Sequence, residues 1–315
     1  MFEFITIPGA PEGANKLRLY KYFSNANNKT MLVVPGFNGY LEFYEIFFQM
    51  LVGLGFNVIS FEYRSSGLSD NFTKKFGHHH LETPQTLYDD LEAVFNHIPV
   101  GQNLYMVGVS FGGVTGFHFL ANSPSAHYIR KVVLLAPMIQ FLTNKWPYFL
   151  ARWYAKLGAR ICPERTVYKN YDQGLYDAEQ GFSLTYMNFY EPTITRMNTS
   201  ICGSCPLQIE NSLKVAEYYK DQPNTTSILT YNTLNILFHL TDTLPDPGTF
   251  SIPVLLFTAG KEFYVDSTAS IKYGLKMKNC TLIHLPQARH GLILETPEVF
   301  KVMEQNIKLF IEDDA

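Results

Sequence analysis

The chain has 315 residues, of which 46% are hydrophobic and 17% charged, and its formal net charge is −3. This composition is typical of a globular protein with a large core, and the weakly acidic balance gives no basic surface for nucleic acid. No apolar run reaches the ~18 residues of a membrane span. The N-terminus, "MFEFITIPGAPEG", has no basic segment followed by a long apolar one, so we expect no signal peptide and a cytoplasmic protein.

Short apolar strands alternate with amphipathic helices in the first 138 residues. Strands are predicted at "TMLVVPGF" from Thr30, "FNVISFEYR" from Phe56, "NLYMVGVS" from Asn103 and "RKVVLLAPM" from Arg130. Helices are predicted between them at "LEFYEIFFQMLVGLG" from Leu41, "TPQTLYDDLEAVFNHI" from Thr83 and "GVTGFHFLANS" from Gly113. This alternation predicts an α/β fold with a mostly parallel sheet and helices on both faces.

The alternation stops after residue 138 and resumes at residue 251. The strands "SIPVLLFTAG" and "CTLIHLPQARHG" and the helices "SIKYGLKMK" and "PEVFKVMEQNIKLFIEDD" complete the pattern. We therefore predict a core formed by residues 1–138 and 251–315, interrupted by an inserted segment, residues 139–250. The inserted segment contains the lone C-x-x-C of Cys202 and Cys205, which lacks the second ligand pair of a zinc site and is interpreted as two structural thiols.

A nucleophile motif lies where the third predicted strand meets its helix. Gly108-Val109-Ser110-Phe111-Gly112 is a G-x-S-x-G sequence in strand–turn–helix context, the arrangement that holds a serine above a sheet edge. Glycines are needed because the turn is too crowded for side chains. The alternative interpretation is a glycine-rich turn that only packs a helix closely on the sheet.

The serine requires a base and an acid. His290, in "QARHG" after the last predicted strand, has the position of a hydrolase base, whereas His284 lies inside that strand and is interpreted as a packing residue. The acid should follow the strand "PVLLFTAG", and both Glu262 and Asp266 in "GKEFYVDS" qualify. The run His78-His79-His80 is interpreted as a solvated loop or pocket rim, with metal binding as the alternative.

Two backbone amides are candidates for an oxyanion hole. The Phe111 N–H follows the nucleophile at the start of a helix, and the Phe37 N–H follows Pro35-Gly36 in the first βα loop, "VVPGFNGY". Donors from these two positions are expected for a nucleophile placed in this way. The alternative for the Phe37 loop is an ordinary strand-to-helix turn.

These segments together resemble the α/β-hydrolases of the monoacylglycerol lipase and lysophospholipase branch, often labelled serine aminopeptidase-like. "VVPGFNGYLEFYEIFFQMLVGLGFNVISFEYRSSGLSD" is similar to the family's oxyanion loop, helix and D-x-R-G-x-G-x-S strand; "VGVSFGG" resembles its nucleophile motif, "GKEFYVDS" its acid loop and "ARHGLILE" its histidine segment. The resemblance covers roughly residues 28–138 and 251–310. It is weak across the inserted segment, which stands where the family has its lid.

The chain departs from the family pattern at several positions. Pro35-Gly36 replaces a frequent His-Gly, and Ser65 and Ser66 stand near the first glycine of D-x-R-G-x-G. Glu262 aligns with the family's catalytic Asp, and Asp266 with a second acidic position. The resemblance therefore favours Glu262 over Asp266 as the acid that orients the base.

The resemblance implies a serine ester hydrolase for lipid substrates, of lysophospholipase or monoacylglycerol lipase type, that works through an acyl-enzyme on Ser110. It implies no metal, no organic cofactor and no protein partner. The inserted segment would act as a lid, whose Trp146, Phe149 and Trp153 suit an acyl chain or peripheral contact with a membrane, although ordinary helix packing explains each of them equally well.

Four alternatives stay open at this point. Three are enzymes on the same scaffold: a small-ester carboxylesterase, an acyltransferase and a proline-type aminopeptidase. The aminopeptidase would use acids of the lid to bind a free N-terminus, for which Glu179, Glu191 and Glu210 are available. The fourth is a non-catalytic α/β-hydrolase-like binding protein.

Overall fold

The computed structural model of the chain describes residues 2–7, 15–24, 27–37, 39–70, 78–143, 146–167, 228–262 and 264–313. The strands within these ranges are β1 (Phe2–Thr6), β2 (Lys16–Tyr22), β3 (Lys29–Val34), β4 (Asn57–Phe61), β5 (His78–His79), β6 (Asn103–Val109), β7 (Ile129–Leu135), β8 (Ile228–Leu229), β9 (Val254–Lys261) and β10 (Cys280–Arg289). The helices are α1 (Glu45–Gly53), α2 (Pro84–Phe95), α3 (Phe111–Asn122), α4 (Tyr148–Ile161), α5 (Tyr231–Asp242), α6 (Ser267–Gly274) and α7 (Pro297–Glu312).

Eight of these strands form one sheet in the order β1-β2-β4-β3-β6-β7-β9-β10. From β4 to β10 every neighbouring pair is parallel, whereas β2 runs antiparallel to both β1 and β4. The predicted mostly parallel sheet is confirmed. Strands β5 and β8 form a separate two-stranded parallel sheet.

Helices cover both faces of the sheet. On β3, Met31 and Val33 belong to a core that includes buried residues of α1 and α7, whereas Leu32 and Val34 belong to a second core with α2 and α3. Successive strand residues point to opposite faces, so a strand buried on both sides must be apolar throughout. This is why the central strands have continuous apolar sequences rather than alternating ones.

The sequence reading missed the two N-terminal strands. In β2, Lys16–Tyr22, only the middle of the strand is buried, and its antiparallel partner β1 lies at the sheet edge. The run Lys16-Leu17-Arg18-Leu19 does alternate polar and apolar residues, which is a strand pattern in a short window, although all but Lys16 are buried. A smaller difference concerns the first predicted helix, whose opening turn, Leu41–Tyr44, is a 3-10 helix.

The described parts of residues 139–250 contain α4, β8 and α5. Two of these elements contact residues outside the range 139–250. Strand β8 pairs with β5, and α5 packs against α3 as well as against α4. The segments around Glu179, Glu191, Cys202, Cys205 and Glu210 lie outside the described residues. None of the helices described is both long enough and apolar enough to cross a membrane.

Candidate active site

Ser110 occupies the sharp turn between β6 and α3. Its backbone has φ 50° and ψ −111°, a conformation that a residue with a Cβ rarely adopts. Backbone hydrogen bonds hold it there: its N–H donates to Leu135 (2.9 Å), and its carbonyl accepts from Gly113 (2.9 Å) and Met138 (2.9 Å). The neighbouring strand β7 and the loop after it therefore maintain a strained serine at the carboxyl edge of the sheet.

The glycines of the motif provide space rather than flexibility. A Cβ on Gly112 would lie 2.0 Å from the Val34 carbonyl oxygen, and one on Gly108 would lie 2.8 Å from the Cα of Gly113. These neighbours are backbone atoms, which cannot move aside as a flexible side chain can. The glycines are therefore required by the close approach of α3 to β3 and β6, as the crowded turn of the motif predicts.

Ser110, His290 and Glu262 form a continuous hydrogen-bonded chain. His290 Nε2 lies 2.9 Å from Ser110 Oγ, and His290 Nδ1 lies 2.9 and 3.0 Å from the two Glu262 carboxylate oxygens. The three residues stand at or just beyond the carboxyl ends of β6, β9 and β10. The imidazole and the carboxylate are largely shielded, with side chains 14% and 6% exposed.

The carboxylate fixes the protonation pattern of the imidazole. An ionised carboxylate only accepts hydrogen bonds, so Nδ1 must carry the proton that points to Glu262. In a neutral imidazole this leaves Nε2 as the acceptor for the Ser110 hydroxyl. The arrangement can therefore remove a proton from Ser110 and stabilise the imidazolium that results.

Asp266, the other candidate acid, does something else. It is the N-cap of α6, where its Oδ1 accepts hydrogen bonds from the backbone N–H groups of Thr268 (2.8 Å) and Ala269 (3.1 Å). Both amides are unpaired donors of the first helical turn, which an N-cap aspartate satisfies. The structure thus brings Glu262 to His290 and uses Asp266 to begin a helix.

The Pro35–Phe37 loop lies directly beside the nucleophile. A Cβ placed on Gly36 would be 3.5 Å from the Ser110 Cβ, an ordinary van der Waals distance, so the loop lies in contact range of the nucleophile. The Phe37 and Phe111 rings meet edge to face, with centroids 5.6 Å apart. The two residues predicted to supply oxyanion donors are therefore neighbours, and among the described residues neither backbone N–H donates to another backbone group.

Two buried tyrosines orient this loop. The Gly36 N–H donates to Tyr44 Oη (2.7 Å), and Tyr63 Oη donates to the Pro35 carbonyl (3.1 Å). Burial raises the pKa of both phenols well above the usual value, so each keeps its proton. Because the Gly36 N–H and the Pro35 carbonyl are already paired, the next backbone donor of the loop that could bind an oxyanion is the Phe37 N–H.

Sequence reasoning did not identify Tyr44 and Tyr63. The available signal was a tyrosine within an otherwise apolar segment, because a buried phenol needs a hydrogen-bond partner. That signal marks the residue as paired without naming the partner, which here is the backbone of another loop.

The aromatic residues proposed for substrate binding lie at the surface. Trp146, Phe149 and Trp153 are 55%, 68% and 62% exposed. Within the described part of the chain, no ring contact joins them to Ser110, His290 or Glu262. Their assignment to an acyl pocket stays a prediction.

Two histidines of the run, His79 and His80, are buried, which corrects the expectation of a solvated loop for them. His79 and His80 are 0% and 7% exposed, and His80 Nδ1 lies 2.9 Å from Thr230 Oγ1. His284, expected to be packed in the core, is exposed on the edge strand β10 and bonded to Thr258 Oγ1 (3.0 Å). The described residues contain no group of three or more His, Cys, Asp or Glu side chains arranged to hold a metal ion.

Most of the chain matches a known family of hydrolases. Residues 25–297 match the α/β-hydrolase family described as serine aminopeptidase, S33. The chain belongs to this family. The suspected membership of the α/β-hydrolase superfamily is thereby confirmed, and the chain is assigned to a family of hydrolases.

Solved structures with the same fold include two monoglyceride lipases. A soluble variant of the enzyme from Saccharomyces cerevisiae has a TM-score of 0.72 at 16% identity, covering 99% of this chain and 94% of that one. The monoacylglycerol lipase of Paleococcus ferrophilus has a TM-score of 0.67 at 16% identity, covering 95% and 99%. An esterase from Exiguobacterium antarcticum gives 0.63 at 13% identity, covering 98% and 99%. No curated protein matches the sequence.

Proposed function

We propose that this hydrolase cleaves carboxylic esters of lipids, as a lysophospholipase or a monoacylglycerol lipase does. The observation that carries the proposal is the hydrogen-bonded chain from Ser110 through His290 to Glu262, with 2.9 Å between Ser110 Oγ and His290 Nε2. Such a chain serves nucleophilic acyl transfer. It also argues against a non-catalytic binding protein, for which a strained, activated serine would have no use.

The proposed reaction has two halves. His290 Nε2 removes the Ser110 proton as Oγ attacks the ester carbonyl, and the carbonyl oxygen becomes an anion that the Phe37 and Phe111 amides stabilise. The C–O bond to the alcohol then breaks, and His290 returns the proton to the leaving alcohol. Water, deprotonated by His290, attacks the acyl carbon; the bond from that carbon to Ser110 Oγ breaks, the fatty acid leaves, and His290 returns the proton to Ser110 Oγ. Glu262 holds the imidazole in the correct tautomer throughout.

Two observations favour lipid esters over other substrates on this scaffold. Folds like this one are found in monoglyceride lipases and an esterase. The exposed aromatic side chains of α4 would also suit a lipid surface. A proline-type aminopeptidase would need lid acids near the site, and the three candidates lie outside the described residues.

A chain-length series of p-nitrophenyl esters tests the substrate class. We expect kcat/KM to rise from acetate to the octanoate or longer esters, because each buried methylene contributes about 0.8 kcal/mol, or about fourfold, until the acyl pocket is full. Lysophosphatidylcholine and a monoacylglycerol should be hydrolysed, and proline p-nitroanilide should not. The Ser110→Ala variant supplies the background rate. A preference for acetate would contradict the lipid proposal, and turnover of the nitroanilide would favour the aminopeptidase.

We further propose that α4 meets a membrane that carries anionic lipid. Its outer face exposes Phe149 and Trp153 beside Lys156 and Arg160, and the helix has no acidic residue. Apolar side chains next to cations match the acyl and anionic layers of a lipid surface. The inserted segment would thereby act as a lid facing the substrate's source.

Vesicle binding tests this surface with a matched pair of variants. Phe149→Glu/Trp153→Glu should lower the partition onto vesicles of phosphatidylcholine with phosphatidylserine by about tenfold or more, since apolar area is lost and like charge is added. The control is Leu309→Glu on α7, because Leu309 is 66% exposed and Trp153 is 62% exposed. Equal losses in both variants, or undiminished binding in the first, would contradict α4 as the docking helix.

A further inference from the structure

His79 occupies an unusual position for a histidine. It is fully buried, and neither ring nitrogen has a hydrogen-bond partner within the part of the chain the structure describes. Burial, with a smaller contribution from His80, lowers its pKa to about 3, so the ring is uncharged at neutral pH. Unpaired buried polar atoms destabilise a fold, and stability alone would favour an apolar ring here.

The ring of His79 supports the proposed oxyanion loop. Its centroid lies 4.1 Å from that of Phe37, tilted by 40°. Phe37 in turn meets Phe111 edge to face at 5.6 Å. His79, Phe37 and Phe111 thus form a row of three packed rings, and the second and third belong to the residues whose amides are proposed to bind the oxyanion.

The backbone of His79 is attached to the end of the inserted segment. His79 pairs with Leu229 in the β5–β8 sheet. The Thr233 hydroxyl donates a hydrogen bond to the His79 carbonyl oxygen (2.9 Å), and Thr233 Oγ1 accepts one from the Leu81 N–H (2.8 Å). Thr233 lies in the first turn of α5. A shift of β8 or of the start of α5 would therefore move His79, and with it the ring against Phe37.

We infer that His79 is a positioning residue that couples the end of the inserted segment to the oxyanion loop, an inference that rests on the proposed ester-hydrolase function. The hydroxyl of Thr233 fixes the backbone of His79 through a hydrogen bond. The flat His79 ring packs on Phe37 and so sets the position of that side chain. Substrate or lipid that displaces β8 or the start of α5 would then change kcat through the Phe37 amide. The ring acts by its shape, because it is neutral and its nitrogens have no hydrogen-bond partner among the described residues.

The first test replaces the ring. With p-nitrophenyl butyrate, His79→Ala should lower kcat about 10- to 100-fold at unchanged KM, part of the roughly 10²–10³-fold lost when one oxyanion donor is removed. His79→Phe, which keeps a flat ring, should stay within about threefold of the wild type. The exposed His284→Ala serves as the control. Equal loss in His79→Phe and His79→Ala, unchanged kcat in His79→Ala, or a change confined to KM would each overturn the inference.

A second pair of variants leaves the ring in place. Thr233→Val removes the hydroxyl that bonds His79 and Leu81, and should lower kcat about three- to tenfold at unchanged KM. Thr233→Ser should restore the wild-type kcat because it keeps the hydroxyl. Failure of the serine to restore kcat, or a fully active valine variant, would overturn the coupling even if His79→Ala did not fold.

Labelling with a fluorophosphonate separates this inference from the proposed function. A wild-type protein whose Ser110 is not labelled refutes the serine-hydrolase function itself. If the wild type is labelled and His79→Ala and Thr233→Val are labelled at the same rate, only the coupling is wrong. Slower labelling in both variants, with Thr233→Ser as fast as the wild type, supports it.

Discussion

Ser110→Ala should lower kcat on p-nitrophenyl esters by roughly 10⁴- to 10⁶-fold, the range seen when a catalytic triad loses its nucleophile. The hydroxyl is the group that bonds to the acyl carbon, and Ser110 Oγ is the atom 2.9 Å from His290 Nε2. Fluorophosphonate labelling should disappear in parallel. KM for any residual turnover should change little, because the methyl side chain leaves the pocket walls in place.

The matched control is Ser125→Ala, which removes a hydroxyl that donates to Glu92 Oε2 (2.7 Å) beyond the end of α3 opposite Ser110. It should retain wild-type kcat and labelling. The proposal fails if Ser110→Ala stays active or is still labelled at a serine. The strained backbone of Ser110 can be tested separately by stability measurements. The free energy of unfolding of Ser110→Gly should be about 1 kcal/mol higher than that of Ser110→Ala, because glycine adopts φ 50° without strain.

The parallel part of the fold was predictable because its strands are buried on both faces. β6 and β7 are continuous apolar runs flanked by glycine, proline and polar residues that favour turns, and such runs predict strands in a short window. Strand β2 is exposed only at Lys16 and Tyr22 and pairs antiparallel with β4. Its alternating start, Lys16-Leu17-Arg18-Leu19, was a local strand signal, but nothing local showed that its partner is β4, about 40 positions later.

The acid was ambiguous from spacing but carried a readable local signal. Asp266 directly precedes Ser-Thr-Ala, and aspartate before the first turn of a helix is a common N-cap. An aspartate whose carboxylate is engaged by two helical amides is poorly placed to orient a distant histidine as well. Weighing that signal would have separated Glu262 from Asp266 without a resemblance to any family.

The environment of His79 and His80 was misread because polarity is a poor guide to burial within a short segment. These two residues are buried and hydrogen-bonded to Thr233 and Thr230, which lie about 150 positions later in the sequence. No local pattern encodes such a contact. The same contact makes His79 the link between the inserted segment and Phe37, so the residue that sequence alone explained least is the one with the most specific proposed role.

Glu262→Gln should lower kcat by roughly 10³- to 10⁴-fold, comparable to the amide substitution of the orienting acid in other triads. The amide can donate to His290 Nδ1 through its NH₂ group, which favours the tautomer with the proton on Nε2. That tautomer cannot accept the Ser110 proton. KM should change little, since Glu262 bonds the imidazole rather than substrate.

Asp266→Ala is the matched variant, because it removes a carboxylate four residues away in the same loop. It should lower the free energy of unfolding by about 1 kcal/mol through loss of the α6 N-cap, and leave kcat within a few-fold of the wild type. Urea denaturation and ester kinetics on the two variants measure the two effects separately. If Asp266→Ala abolished turnover while Glu262→Gln retained it, the acid assignment would be reversed. Loss in both at unchanged stability would mean that the two carboxylates share the task, which the 2.8 and 3.1 Å bonds from Asp266 to its helix argue against.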